Sequence, residues 1–221
     1  SNLLALRGEI ARGDSVFHDL QGTKEEILKI EDLLKSNKWQ VSSYMGKNGT
    51  EESFLNMHGK SPKLLHLATH GFYYTPNRAE NVDYLKGYTD AMSLSGLVLS
   101  GGNAAWLGKP LPKGVLGGIL SANDIARLDL SNTDMVVLSA CQTGQGKATS
   151  EGLYGLQRAF KKAGVGTIVM SLWSVSDKTT SEFMTTFYER LADKNNAWNK
   201  RKAFEEAKEI IRKKHPDPFH W

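Results

Sequence analysis

The chain has 221 residues, 40% of them hydrophobic and 24% charged, which is the balance of one ordinary globular domain able to bury a core without disulfide or metal staples. No apolar run approaches the roughly 20 residues that cross a bilayer, and Ser1 to Arg12, with Glu9 among them, lack the order of a signal peptide. The net charge of +4 gathers late, at Lys200, Arg201, Lys202, Lys208, Arg212, Lys213 and Lys214, interleaved with Glu205, Glu206 and Glu209, which reads as a solvated helix face and not a nucleic-acid surface.

Taken in chain order, Thr23 with Glu26 three residues on reads as a capping box opening a helix with Ile27, Ile30, Leu33 and Leu34 on one face. Asn37 and Lys38 end it. Trp39 to Met45 reads as a strand, Gly46 to Gly49 as a turn, and Thr50 as the cap of a short helix carrying Phe54, Leu55 and Met57. Lys63 to Thr69 (K-L-L-H-L-A-T) has the near-continuous apolar character of a strand buried on both faces. Gly71 to Gly118 is rich in Gly, Asn, Pro and Tyr, and only Ser95 to Leu99 within it reads as a strand. Ser121 caps a short helix to Arg127. Asp134 to Ala140 is a second apolar strand, Cys141 to Ser150 a Gly-rich loop, Glu151 to Ala163 a helix, and Gly166 to Leu172 a third apolar strand. Helices follow at about Ser176 to Ala192 and Asn199 to Lys214. Helices alternating with strands predict an α/β fold, a mostly parallel sheet sandwiched by helices. The span 1–221 reads as one domain; its start at Ser1-Asn2, without Met, reads as the mark of a domain taken from a longer protein.

Two predicted strand ends carry reactive side chains. The strand Lys63–Thr69 leads into His70-Gly71, and the strand Asp134–Ala140 leads into Cys141. Ligands bind at the carboxyl ends of strands in such sheets. If the two strands are neighbours, an imidazole and a thiol project from one edge, and the imidazole can take the thiol proton. Gly71, without a Cβ, lets the backbone approach a substrate, so the N–H groups of Gly71 and Cys141 are the candidate oxyanion donors. The competing reading is an inert core thiol beside a packing histidine. Cys141 is the chain's one cysteine. It excludes an intrachain disulfide and a Cys-rich zinc site, and it fits a reducing, cytoplasmic setting.

Four motifs occur in order: H-L-A-T-H-G (His66 to Gly71), L-S-A-C-Q-T-G (Leu138 to Gly144), E-G-L-Y-G-L-Q-R-A-F (Glu151 to Phe160) and S-L-W-S-V-S-D (Ser171 to Asp177). Together, over about residues 20 to 215, they resemble the CHAT domain, a caspase-like family related to separases and caspases and often joined to tetratricopeptide repeats. The resemblance implies a caspase-like three-layer fold and a catalytic dyad mapping onto His70 and Cys141. It implies a protein substrate and a regulatory domain or activator, with tetratricopeptide repeats as a candidate, in bacterial signalling or defence. The chain departs from the family pattern after His215-Pro216, where the family runs on into a further apolar strand.

Other residues carry two readings. His66, four before His70, is read as a buried, hydrogen-bonded histidine sharing a face with it. Asp177 either caps the following helix or, by the separase analogy, attracts a basic substrate residue, with Trp173 walling the pocket. Glu151 either favours its helix N-terminus or sets the Cys141 loop. Gly144-Gln145-Gly146-Lys147 fails as a phosphate loop, because Cys141 stands where Gly is required and Ala148 where Ser or Thr is required. There is no G-x-S-x-G elbow. No metal, cofactor, nucleic-acid or membrane partner is expected. Two functions from different classes remain, an endopeptidase held inactive until a partner or ligand rearranges its loops, and a catalytically silent interaction module of the same fold. Labelling by a thiol-reactive peptide electrophile separates them.

Overall fold

The computed structural model describes residues 4–5, 17–20, 22–74, 85, 87–111, 113, 115–139, 150–171 and 176–217. In chain order these form β1 (Leu4–Ala5), β2 (His18–Asp19), α1 (Thr23–Ser36), α2 (Glu51–Leu55), β3 (Leu64–Leu67), β4 (Gly71–Tyr73), β5 (Ser95–Val98), α3 (Gly102–Trp106), β6 (Ile119–Ser121), α4 (Ala122–Ala126), β7 (Met135–Leu138), α5 (Ser150–Lys162), β8 (Thr167–Met170), α6 (Asp177–Ala192) and α7 (Lys200–Lys214). They fall into two compact units, Ser1–Leu20 with Tyr44–Ser174, and Gln21–Ser43 with Val175–Trp221.

In the first unit the expected apolar strands pair in parallel, in the order β3-β7-β8. Met-Val-Val-Leu in β7 and Thr-Ile-Val-Met in β8 are the β-branched runs that suit a covered sheet. One face of that sheet offers Leu65, Val136 and Leu138 to Ala122, Ile125 and Ala126 of α4 and to Leu156, Ala159 and Phe160 of α5. Each large apolar side chain buried here contributes about 1.5–3 kcal/mol. Ser121 caps α4 in a capping box with Asp124, because its hydroxyl accepts from the Asp124 N–H and its own N–H donates back to the Asp124 carboxylate.

The stretch from 71 to 118 is more regular than its composition suggests. It holds β4, β5 and α3, and β4-β5-β6 form an antiparallel sheet. Strands of three or four residues interrupted by glycine leave little apolar periodicity to read. Leu97 and Leu120 enter the core shared with α4 and α5. Phe72, Tyr74, Val98 and Ile119 point the other way, into a second cluster with Phe17, Leu94 and Trp106. Gly96 is where the two strands and a ring converge. A Cβ there would collide with the Leu120 carbonyl and sit 2.8 Å from the Phe72 ring.

Two expectations fail locally. Trp39 to Met45 is irregular and leads into a 3₁₀ turn at Gly46–Asn48. After α1, Lys38 takes a left-handed φ of 66° and the Trp39 N–H bonds back to the Leu34 carbonyl at 3.0 Å, a helix-closing motif. Trp39 then stacks on Trp198, with ring centroids 4.4 Å apart. The capping box at Thr23 is absent as well. Gly22, left-handed at φ 96°, holds the cap position, and Thr23 is the first helical residue.

The second unit gathers α1, α6 and α7. Ser176 and Asn199 cap α6 and α7, with side chains that accept from the Thr179 and Lys202 N–H groups. Ala203, Ala207 and Ile211 form the fully buried stripe of α7, at the four-residue spacing of one helix face. Its cations lie outward, and the pairs Lys202–Glu206, Arg212–Glu209 and Lys213–Glu209 are surface pairs of small worth. Burial, with the nearby charge of Glu26, pushes the Tyr188 phenol far above its ordinary value, so it stays neutral. Among the described residues no helix is long and apolar enough to cross a membrane.

Two predictions follow from the packing. Gly96→Ala lowers stability by about 2 kcal/mol, in line with overpacked cores, read as a shift of the urea midpoint; an unchanged midpoint contradicts the close approach. Glu182 on α6 accepts from Lys214 Nζ at 2.6 Å and meets His215 Nε2 at 2.9 Å. These bonds hold its carboxyl below the usual range. A depressed carboxylate contributes stability above its unfolded value, lost as pH falls through the folded one. Glu182→Gln therefore reduces stability at neutral pH and flattens the acid side of the stability–pH curve, and a curve of unchanged shape would count against the tie.

Candidate functional site

β3 ends at Leu67, and Ala68, Thr69 and His70 carry the chain across to β4, which starts at Gly71. His70 therefore sits where the parallel sheet hands over to the antiparallel one. Val98, the last residue of β5, fixes this crossing twice. Its N–H donates to the His70 carbonyl at 2.8 Å. Its own carbonyl accepts from the Thr69 hydroxyl. The imidazole is only 1% exposed. The Phe17 ring stacks on it with centroids 5.9 Å apart and planes at 24°.

Phe17 is held in turn. Its N–H donates to Asn103 Oδ1 at 2.8 Å, and Asn103 Nδ2 donates to the Phe17 carbonyl at 3.0 Å. Trp106 meets Phe17 edge-on at 4.9 Å and also touches Phe72 and Tyr74. His70 thus lies against an aromatic wall that lowers the local dielectric. Nothing local in the sequence signals this, since Phe17 and Asn103 are 86 positions apart.

The backbone of Gly71 has a definite direction. In an antiparallel pair, alternate residues exchange hydrogen bonds with the partner strand. His70 bonds to Val98 and Tyr74 to Leu94, while Gly71 is paired with Leu97 and Tyr73 with Ser95. The N–H of Gly71 is consequently turned to the outer side of β4, away from β5.

On the neighbouring strand, β3 and β7 pair from Leu64 with Met135 to Leu67 with Leu138. The Ser139 N–H adds one more bond, to the Leu67 carbonyl at 3.1 Å. The Ser139 hydroxyl is buried and makes no hydrogen bond among the described residues. Cys141 and Trp173 lie outside the described residues. β8 lies beside β7, as consecutive βαβ units predict.

The remaining candidates are placed as follows. Asp177 is the first residue of α6, and the cap is Ser176, whose hydroxyl accepts from the Thr179 N–H at 3.2 Å. Glu151 lies in the first turn of α5. His66 is partly buried on β3 opposite Val137. The face-sharing argument for His66 and His70 does not hold, because β3 stops before His70 and the alternation of an extended strand stops with it. Among the described residues no group of three or more His, Cys, Asp or Glu is arranged to hold a metal ion. Glu51 and Glu52, on α2, accept from the Gly118 and Leu116 N–H groups at 2.9 and 2.8 Å and so anchor the loop before β6. Burial pushes the Glu51 carboxyl up, while the Gly118 bond works against that.

The family model for the CHAT domain matches residues 8–221. The chain belongs to the CHAT domain family. The parallel sheet with helices packed on it is the α/β, caspase-like fold of that family. This CHAT domain is also 38% identical to Tetratricopeptide repeat protein 28 of Mus musculus over 73 residues, covering 33% of this chain and 3% of that protein. Against Tetratricopeptide repeat protein 28 of Homo sapiens it is 31% identical over 105 residues, covering 47% of this chain and 4% of that protein. The chain thus matches only a small part of these relatives' length, and both are mammalian. No solved structure matches it.

The crossing at His70 makes its own prediction. Thr69→Val leaves the Val98 carbonyl without its side-chain donor and costs about 1–3 kcal/mol, whereas Thr69→Ser retains most of that. Equal urea midpoints for the two variants would show that the hydroxyl does not hold the crossing.

Proposed function

We propose that this CHAT domain is a cysteine endopeptidase in which Cys141 is the nucleophile and His70 its base. The observation that carries the reading is the strand register. Every β3–β7 pair differs by 71 in residue number, as Leu64 with Met135 and Leu67 with Leu138, and so do His70 and Cys141. In sequence each comes three positions after the last β3–β7 pair, and ligands bind at the carboxyl ends of strands in parallel sheets.

The chemistry follows from that juxtaposition. His70 takes the thiol proton and Cys141 Sγ attacks the peptide carbonyl. The oxyanion that forms is held by the N–H groups of Gly71 and Cys141, and the outward turn of Gly71 supports that assignment. The amine leaves with the proton from His70, and water then hydrolyses the thioester. In this reading Trp173 lines the pocket before the scissile bond, and the Asp177 carboxylate is the candidate for selecting a basic residue. The substrate is a protein. The burial of His70 supports activation by rearrangement, driven by a regulatory domain or partner, for which tetratricopeptide repeats are the leading candidate.

Cys141→Ala and His70→Ala each abolish cleavage in the activated full-length protein, and the double variant is no worse than either alone, because the pair acts as a unit. Circular dichroism stays unchanged for Cys141→Ala. Cleavage retained by that variant ends the cysteine-peptidase reading in favour of the silent interaction module.

A further inference from the structure

We infer that Phe17 is a positioning residue for His70, and that Asn103 is the clamp that keeps it there. The inference rests on the His70–Cys141 reading and deepens it. Through Phe17 the segment that precedes α1 reaches the base of the proposed dyad.

The torsion that turns an imidazole ring about its bond to Cβ is broad, unlike the three-well torsions of aliphatic chains. Which nitrogen faces a neighbouring thiol therefore has to be fixed from outside the ring. The backbone of His70 is fixed by Val98. Its ring lies nearly parallel to Phe17, with planes 24° apart. A buried main chain needs a grip on both of its polar groups. Phe17 has one in both directions, from the carbonyl oxygen and the amide nitrogen of a single side chain, Asn103. Trp106, three residues further along α3, closes against the edge of the same ring. One short helix thus sets both the height and the tilt of Phe17 against the imidazole.

The arrangement also couples the site to what lies before it. β2 begins at the residue after Phe17 and pairs with β1, His18 with Ala5. A force that displaces this hairpin acts on Phe17 directly. The stack on His70 then loosens or tightens with it, without any movement of β3.

The test uses the single cysteine of the chain, since alkylation by iodoacetamide reports on Cys141 alone. The rate is followed against pH for the chain as it stands and for His70→Ala, Phe17→Leu, Asn103→Leu and Asn103→Asp. Phe160→Leu removes a ring from the core of α4 and α5, a cluster separate from that of Phe17, and serves as the control for a general loss of packing. Phe17→Leu and Asn103→Leu are expected to slow alkylation at neutral pH by about tenfold or more, as small misplacements of a catalytic group do. Their pH profiles should move toward that of His70→Ala. Asn103→Asp, which keeps the acceptor for the Phe17 N–H and loses the donor, should fall between. Phe160→Leu should keep the unaltered profile. If His70→Ala itself leaves the profile unchanged, the dyad reading falls and this inference with it. If His70→Ala moves the profile while Phe17→Leu and both Asn103 variants behave like Phe160→Leu, the dyad stands and the positioning role is overturned.

Discussion

The register of β3 against β7 is the constraint on which the rest of the site depends. A slip of one residue would turn Leu65 and Leu67 away from the core they share with Val136 and Leu138. That core continues into α4 and α5, so the slip is opposed by many buried side chains at once. The same register brings the carboxyl ends of the two strands, Leu67 and Leu138, level with each other. Apolar packing on one face of the sheet thereby sets the alignment of the polar chemistry proposed at its edge.

The second constraint is the change of sheet at His70. A strand that simply continued would alternate its side chains and keep all its backbone groups in one ladder. Here the chain leaves β3, is tied by Val98 through both Thr69 and His70, and enters β4 with Gly71 turned outward. The crossing gives a buried imidazole and an outward-facing N–H on adjacent residues. Those are the two kinds of group that acyl transfer needs next to a nucleophile. The same arrangement covers the imidazole, which is 1% exposed beneath Phe17.

Much of this was legible in the sequence, and the reasons for success and failure are physical. The three parallel strands were readable because covered strands are nearly all apolar, and Met-Val-Val-Leu admits few other uses. Helix α4 was readable from Ser121, whose side chain does cap it, and the spans of α6 and α7 were readable as well, although the cap of α6 is Ser176 and not Asp177. The strand proposed at Trp39 to Met45 was not real, because Lys38 adopts a left-handed turn that no local pattern announces in a non-glycine residue. The antiparallel sheet was nearly invisible, since short strands with Gly71 and Gly96 at packed positions look like loop. His70 drew attention through its place after a predicted strand. Phe17 and Asn103 did not, because a contact across 86 positions leaves no trace in composition or periodicity.

The central claim is that residues 70 and 141 stand side by side at the edge of the parallel sheet, and disulfide trapping tests it most directly. The chain has one cysteine, so a His70→Cys variant has two thiols, and mild oxidation can join only that pair within one chain. Such a bond forms where the Cα atoms lie about 4.4–6.8 Å apart, the spacing of neighbouring residues on paired strands. The account predicts a monomeric, folded protein that loses both free thiols and gains an intrachain crosslink between the peptides containing positions 70 and 141. A folded variant that keeps both thiols under the same oxidation, or links only between chains, would contradict it.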